Sequence, residues 1–214
     1  TGSRKEESRR KKCGLKRIAA GLSGCCRDKK FRRILLGAVL AAVFSITASQ
    51  VLYAGQIQRQ IAGKVIRFHV LANSDSQADQ ALKCAVRDRV GTMMAEKLQN
   101  ADSLEESTDV VTENLQEIET CAANVIRENG YDYPVHAALE TCAFPEKSYG
   151  DYTFPSGTYE ALRVVIGSGE GHNWWCVMYP NLCFANSMYE VDAFSGEKLR
   201  EVLEPEEYAA VLES

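Results

Sequence analysis

The stretch Lys64-Val-Ile-Arg-Phe-His-Val-Leu-Ala-Asn-Ser-Asp-Ser76 decides the fold of this 214-residue chain. Val65, Arg67, His69 and Leu71 alternate with Ile66, Phe68, Val70 and Ala72. The second set is wholly apolar, as expected of a strand with one face on a core. Asn73-Ser-Asp-Ser76 then stops the strand and offers side-chain oxygens to a helix N-terminus. Capping-box spacing occurs from Ser74 to Gln77 and again from Ser76 to Asp79. Downstream, Leu82, Val86, Val90, Met94 and Leu98 recur every fourth residue, so the strand leads into a helix that lays one stripe on a sheet.

Further along the chain, Ser103-Leu-Glu-Glu106 opens a second helix, and Val111, Leu115, Ile118, Ala122 and Val125 follow at steps of 4, 3, 4 and 3. Asn129-Gly130 predicts a left-handed cap at its end. The hydrophobic period then changes to two. Strands are expected over 135–144, 159–166, 174–179 and 184–191, parted by turn clusters such as Pro155-Ser-Gly157 and Gly167-Ser-Gly-Glu-Gly171. Pro205 suits the first turn of a short final helix. Strands grouped after helices predict an α+β domain, a mostly antiparallel sheet with two long helices packed on it.

Toward the N-terminus the character of the chain changes. Residues 1–33 hold 13 Lys/Arg against 3 Asp/Glu, a net of +10, while residues 34–214 hold 12 against 26, a net of −14. The overall −4 is therefore a sum of two opposed parts. No charged residue occurs from 34 to 58, and Ile34-Leu-Leu-Gly-Ala-Val-Leu-Ala-Ala-Val-Phe-Ser-Ile-Thr-Ala48 follows directly on Arg27, Lys29, Lys30, Arg32 and Arg33. Basic, apolar, acidic is the order of an export segment and its cargo. Thr47-Ala-Ser49 or Leu52-Tyr-Ala54 supplies small residues for a signal peptidase. Extended to Ala54, the run is also long enough to span a bilayer, so a cleaved signal and a retained anchor both fit. The excess of basic residues before the run puts the N-terminus in the cytoplasm and the remainder outside.

The expected organisation is a basic cytoplasmic leader over 1–33, a signal or anchor helix over 34–54, a linker over 55–63, an exported domain over 64–204 and a C-terminal helix over 205–214. With 5 Pro, 15 Gly and no fixed period, collagen-like, repeat and disordered classes are excluded. Arg9-Arg-Lys-Lys12 lacks the interleaved aromatics of a nucleic-acid arm, so no nucleic-acid partner is expected.

Of eight cysteines, Cys84, Cys121, Cys142, Cys176 and Cys183 lie in the exported part, an odd number. Cys84 and Cys121 sit on or beside the helix stripes and read as buried thiols. Cys176 and Cys183, with a Pro turn between them, are placed to meet across a hairpin as a disulfide. No C-x₂-C or H-x₃-H spacing occurs, so no metal or other cofactor is expected. Gly171-His-Asn-Trp-Trp-Cys176 also invites a thiol-hydrolase reading, with Cys176 as nucleophile and His172, His136 or His69 as base. In the competing structural reading, the glycines make a turn, a Trp anchors the core and Cys176 is structural. Asn73, Asp75, Asp79, Arg87 and Asp88 form a polar cluster at the first strand-to-helix junction, fit either for acid–base work or for capping and ion pairing.

Two blocks carry a resemblance. Arg67-Phe-His-Val-Leu-Ala-Asn-Ser-Asp-Ser-Gln-Ala-Asp-Gln-Ala-Leu-Lys83, continuing to Val86-Arg-Asp88, and Gly171-His-Asn-Trp-Trp-Cys-Val-Met-Tyr-Pro-Asn-Leu-Cys-Phe184 resemble the signature blocks of stage II sporulation protein R of endospore-forming Firmicutes. The residues of these blocks with structural or partner-binding expectations are His69, Asn73, Asp75, Asp79, Gln80, Arg87, Asp88, Asn173, Trp174, Trp175, Cys176 and Cys183. The resemblance implies a non-enzymatic signalling protein, made in the forespore and carried by the secretion machinery into the space between the forespore and mother-cell membranes. There its partner would be the membrane-embedded aspartic peptidase that processes pro-sigma-E. An exported thiol hydrolase and a membrane-anchored septal protein are the alternatives.

Overall fold

The alternating residues after Lys64 form β1 (Ile66–Leu71), and all six are buried, polar and apolar alike. The computed structural model describes residues 29–180 and 193–212. Ser76 caps the helix that follows, its hydroxyl accepting from the Asp79 N–H at 3.1 Å, so the second of the two capping-box spacings is the one used. This helix, α2 (Gln77–Leu98), buries Leu82, Val86, Val90, Met94 and Leu98, the stripe read from the sequence.

The second helical run is divided. α3 (Leu104–Glu113) starts at Ser103, whose hydroxyl accepts from the Glu106 N–H, and ends at Asn114; α4 (Leu115–Glu128) resumes at once. Asn114 Nδ2 donates to the Val110 carbonyl at 2.7 Å, a local side-chain bond that competes with the helix ladder. The apolar stripe carries across the break, with Val111, Ile118, Ala122 and Val125 all buried. Gly130 ends α4 at φ 82°, the left-handed cap expected there.

Among the described residues four strands make the main sheet, in the order β2 (Val135–Phe144), β5 (Gly157–Ile166), β1, β6 (Asn173–Tyr179). β1 and β5 run parallel, and the two outer pairings are antiparallel. A short hairpin, β3 (Lys147–Tyr149) and β4 (Tyr152–Phe154), stands apart as a second sheet. The α+β class with a mostly antiparallel sheet is the architecture found. The strand expected over 184–191 lies outside the described residues. α5 (Ala193–Val202) was not anticipated, while α6 (Pro205–Leu212) begins at the expected proline.

The two sheet faces bury different materials. On one, Ile66, Phe68, Val70, Leu162, Val164, Cys176 and Met178 meet the stripes of α2, α3 and α4. On the other, Phe144, Tyr159, Ala161 and Val177 meet Phe154, Leu199, Leu203 and Val211.

At the N-terminal end, α1 (Lys29–Ala62) is a single helix. The chain divides into a unit ending at Ala54 and a unit from Gly55 onward. In the first, α1 is long and apolar enough to cross a membrane, with Leu36, Leu40, Phe44 and Leu52 exposed. In the second, the stretch read as a linker is helical as far as Ala62, and Ile57 and Ile61 are buried in the apolar cluster of the second sheet face.

Candidate functional site

The carboxyl ends of the parallel strands β1 and β5 lie side by side, and the segments leaving them, 72–76 and 167–172, are tied together. Open sheets of this kind gather functional groups at such an end. Asn73 is the hub. Its Oδ1 accepts from the Ser168 N–H at 3.0 Å, its carbonyl accepts from the Ser168 hydroxyl at 2.8 Å, and its Nδ2 donates to Asp79 Oδ2 at 3.0 Å. The Ser74 hydroxyl donates to the same carboxylate oxygen. These bonds, with Ser74's first and Asn73's next, hold the Asp79 carboxyl below the usual carboxylate range.

The glycines of the 167–171 loop are required by this closeness. A β-carbon on Gly171 would stand 2.3 Å from the Ser74 carbonyl oxygen, and one on Gly167, at φ +59°, 2.2 Å from Asn73 Oδ1. Gly171 N–H also donates to the Ala72 carbonyl at 2.9 Å. Outside this tie, Asp75 accepts from the His172 backbone N–H and pairs with its Nδ1, which lowers the Asp75 carboxyl as well. Lys83, nearly buried, reaches across from α2 to the His172 carbonyl at 2.9 Å and to Gln80 Oε1, while Gln80 Nε2 holds the Ser74 carbonyl.

One helical turn on, Arg87 is 5% exposed; its guanidinium carbon lies 5.0 Å over the Trp174 ring, and its Nε donates to Asp88 at 2.7 Å. Trp174 meets Phe68 edge-on at 5.6 Å. The structure divides the polar residues read from the sequence as one cluster, Asn73, Asp75, Asp79, Arg87 and Asp88, into two sets. Asn73, Asp75, Asp79 and Gln80 join the loop, and Arg87 and Asp88 sit beside Trp174. Asn73 bonds Asp79 and Arg87 bonds Asp88, while Asn73 and Asp75 fix the loop and Ser76 supplies the cap of α2. No group of three or more His, Cys, Asp or Glu suited to a metal occurs among the described residues.

Across the sheet is a second polar centre. Arg67 is fully buried; Nε donates to the Cys176 carbonyl and Nη2 to the Tyr149 hydroxyl, both at 2.9 Å, while Nη1 has no hydrogen-bond partner among the described residues. Four rings surround it, with Phe144 at 4.4 Å and Tyr159 at 4.8 Å from the guanidinium carbon, then Phe154 and Tyr149. Burial lowers its pKa, yet a group that starts so high stays charged. No carboxylate pairs with it among the described residues; the ring faces do that work.

His69, two residues on, is 5% exposed and stacks on Trp175 at 3.8 Å, with Phe144 edge-on to both. Among the described residues neither ring nitrogen has a hydrogen-bond partner of ordinary geometry. Burial, then the Arg163 cation, push its pKa down to about 4 against a small opposing pull from Asn173, so the ring is neutral at pH 7.

These positions correct the thiol-hydrolase reading. Cys176 is disulfide-bonded and 2% exposed, so it holds no thiol to activate. Its partner is none of Cys84, Cys121 and Cys142, which are free, and Cys183 lies outside the described residues. Cys176 faces the helices with Phe68, whereas His69 lies on the opposite face. His172 serves Asp75, and His136 pairs with Glu119 at 2.7 Å on the surface. Cys84 and Cys121, expected to be buried, are half-buried, and burial raises the Cys121 thiol.

Residues missed from the sequence are Arg67, Ser74, Lys83 and Ser168. The two serines and Lys83 lay in recognised loops or blocks. For Arg67 the only signal is its place in a strand whose second face is also covered.

The family model described as stage II sporulation protein R (spore_II_R) matches residues 62–189. Stage II sporulation protein R of Bacillus subtilis (strain 168) is 36% identical over 141 residues, 66% of this chain, and the chain spans 60% of that relative's length. No solved structure matches the chain. The matched span runs from the last residue of α1 past β6 and takes in every residue of both polar centres. On that extent and that identity, the chain belongs to the stage II sporulation protein R family, a family of sporulation proteins.

Proposed function

We propose that this protein is an exported signal of sporulation that binds the outward-facing part of the membrane-embedded aspartic peptidase processing pro-sigma-E, and thereby activates it. The family match over 62–189 carries this reading. Two features support it. An apolar helix with a basic N-terminal flank precedes the folded domain, as export across the forespore membrane into the intermembrane space would need. The polar cluster at the carboxyl ends of β1 and β5 is also tied together by its own hydrogen bonds, a disposition suited to holding a binding surface rigid.

As an activator the protein must favour the active form of the peptidase, and each tenfold shift requires about 1.4 kcal/mol of extra affinity for that form. The net −14 of residues 34–214 would speed encounter with a basic patch on the receptor. The pairing of Cys176 with Cys183 belongs to the same proposal, as a clamp at the end of β6. Co-reconstitution of the full chain, the peptidase and pro-sigma-E in vesicles tests the function. Precursor cleavage should rise with added protein, and unchanged cleavage rejects it. Mass spectrometry of the mature N-terminus distinguishes a secreted from an anchored signal.

A further inference from the structure

Edge strands present unpaired backbone groups, and most proteins block them with Pro, Lys, a bulge or a covering element. Among the described residues β2 is an edge of the main sheet, and it pairs with β5 along all ten of its residues without a bulge. The direction of its backbone groups follows from two bonds. The Ala137 N–H is taken by Glu119 Oε1 at 2.8 Å, on the outer side, while the Pro134 carbonyl is bonded by the Gly167 N–H, on the inner side. In an antiparallel pair both groups of a residue point the same way and alternate along the strand. The N–H and C=O of Leu139, Thr141 and Ala143 therefore face outward, and none has a partner among the described residues.

The ends of this window are closed and its middle is open. Glu119 covers Ala137 on one side, and Pro145 follows Phe144 on the other. Between them Glu140, Thr141 and Ala143 are exposed, with no Lys, Pro or Gly among residues 139–143. The flanking charges have one dominant sign. Glu140, Glu146 and Glu160 are exposed, and Glu119 stands at the end. Against them are Arg163, bound to Glu140 at 2.8 Å, and Lys147. Glu160 has no cationic partner among the described residues; it accepts a long hydrogen bond from the Thr108 hydroxyl at 3.5 Å.

We propose that residues 139–143 are the partner-binding edge of this protein, and that they take an extended, cationic segment of a partner protein as an added strand. Main-chain bonds to Leu139, Thr141 and Ala143 would supply affinity, and a Lys or Arg opposite Glu140 would supply selectivity. The proposal rests on the binding function above and names its surface.

The test substitutes Thr141 in the full chain. Thr141→Pro removes one outward N–H without touching the bonds to β5, Thr141→Lys places a charge on the edge, and Thr141→Val is the control. In the reconstituted cleavage assay, the Pro and Lys variants should fold and lose at least tenfold in activation, with Val unchanged. Should either variant fail to fold, hydrogen exchange on the unaltered protein decides. The amides of Leu139, Thr141 and Ala143 should slow when the peptidase is added, while that of Ala137 stays as it was.

Activation by the unaltered protein together with full activity of the Pro and Lys variants, or unslowed amides, overturns the edge proposal and leaves the function standing. Absence of activation by the unaltered protein overturns both. A dimer in solution that Thr141→Pro converts to monomer assigns the edge to a second copy and overturns the cationic partner.

Discussion

The two faces of the central sheet are built by opposite means. The helix-side face is apolar side chains packed on three amphipathic helices, with alternation and helical period in agreement. The other face buries a guanidinium and an imidazole from the same strand, β1, among Phe144, Tyr149, Phe154, Tyr159 and Trp175. The first face should tolerate substitution by volume, because dispersion and the hydrophobic effect have no direction. The second is directional, since each polar group there depends on a named acceptor or ring.

The sharpest way to break this contrast is Arg67→Ala. It opens a cavity and strips the Cys176 carbonyl and the Tyr149 hydroxyl of their donor, and we expect a loss of about 4 kcal/mol in denaturant unfolding. Arg67→Met keeps most of the volume without the two bonds and should lose about half as much. On the helix side, Met94→Ala should cost about 3 kcal/mol, while Met94→Leu should stay below about 1.5 kcal/mol. If Arg67→Met proves as mild as Met94→Leu, the directional account of the second face is wrong.

pH separates the faces further. His69 is buried neutral with its pKa pushed down to about 4, so between that value and the ordinary 6.5 the unfolded chain binds a proton that the folded chain refuses. Stability from this residue is therefore full above pH 6.5 and falls as pH drops toward 4, by about 2 kcal/mol after allowance for screening. His69→Phe keeps a ring against Trp175 and should flatten stability over that window; an unchanged slope would place the titrating group elsewhere. The smallest effect concerns the strand-end knot. Asn73→Ala should lose about 1 to 2 kcal/mol and let the Asp79 carboxyl rise toward its ordinary range, readable by NMR titration.

What was legible in the sequence divides along the same line. β2 was read to its last residue and the stripe of α2 residue by residue, because the apolar period of each is set by its own geometry. The break at Asn114 was not legible, since the stripe runs through it unchanged and only a local side-chain bond marks it. The polar cluster at 73–88 could be located, but its loop partners Ser168 and His172 are about a hundred residues away, and their pairing is a property of the parallel β1–β5 register. Arg67 falls in the set that alternates with the apolar residues of β1, and nothing local announces that β4, α5 and α6 return to cover that face.

One detail of the first helix bears on maturation. Ile57 and Ile61 belong to the folded unit's own interior even though they continue the helix that holds the apolar run. Were the apolar run a cleaved signal, this interior would limit where a peptidase can cut. A new terminus at Gly55 leaves both isoleucines in place, whereas one beyond Ile61 would uncover Phe144, Tyr159 and Val211. The apolar run that fits a signal or anchor is thus continuous with sequence that the folded unit buries, and two residues, Gly55 and Gln56, lie between the end of the first unit and Ile57.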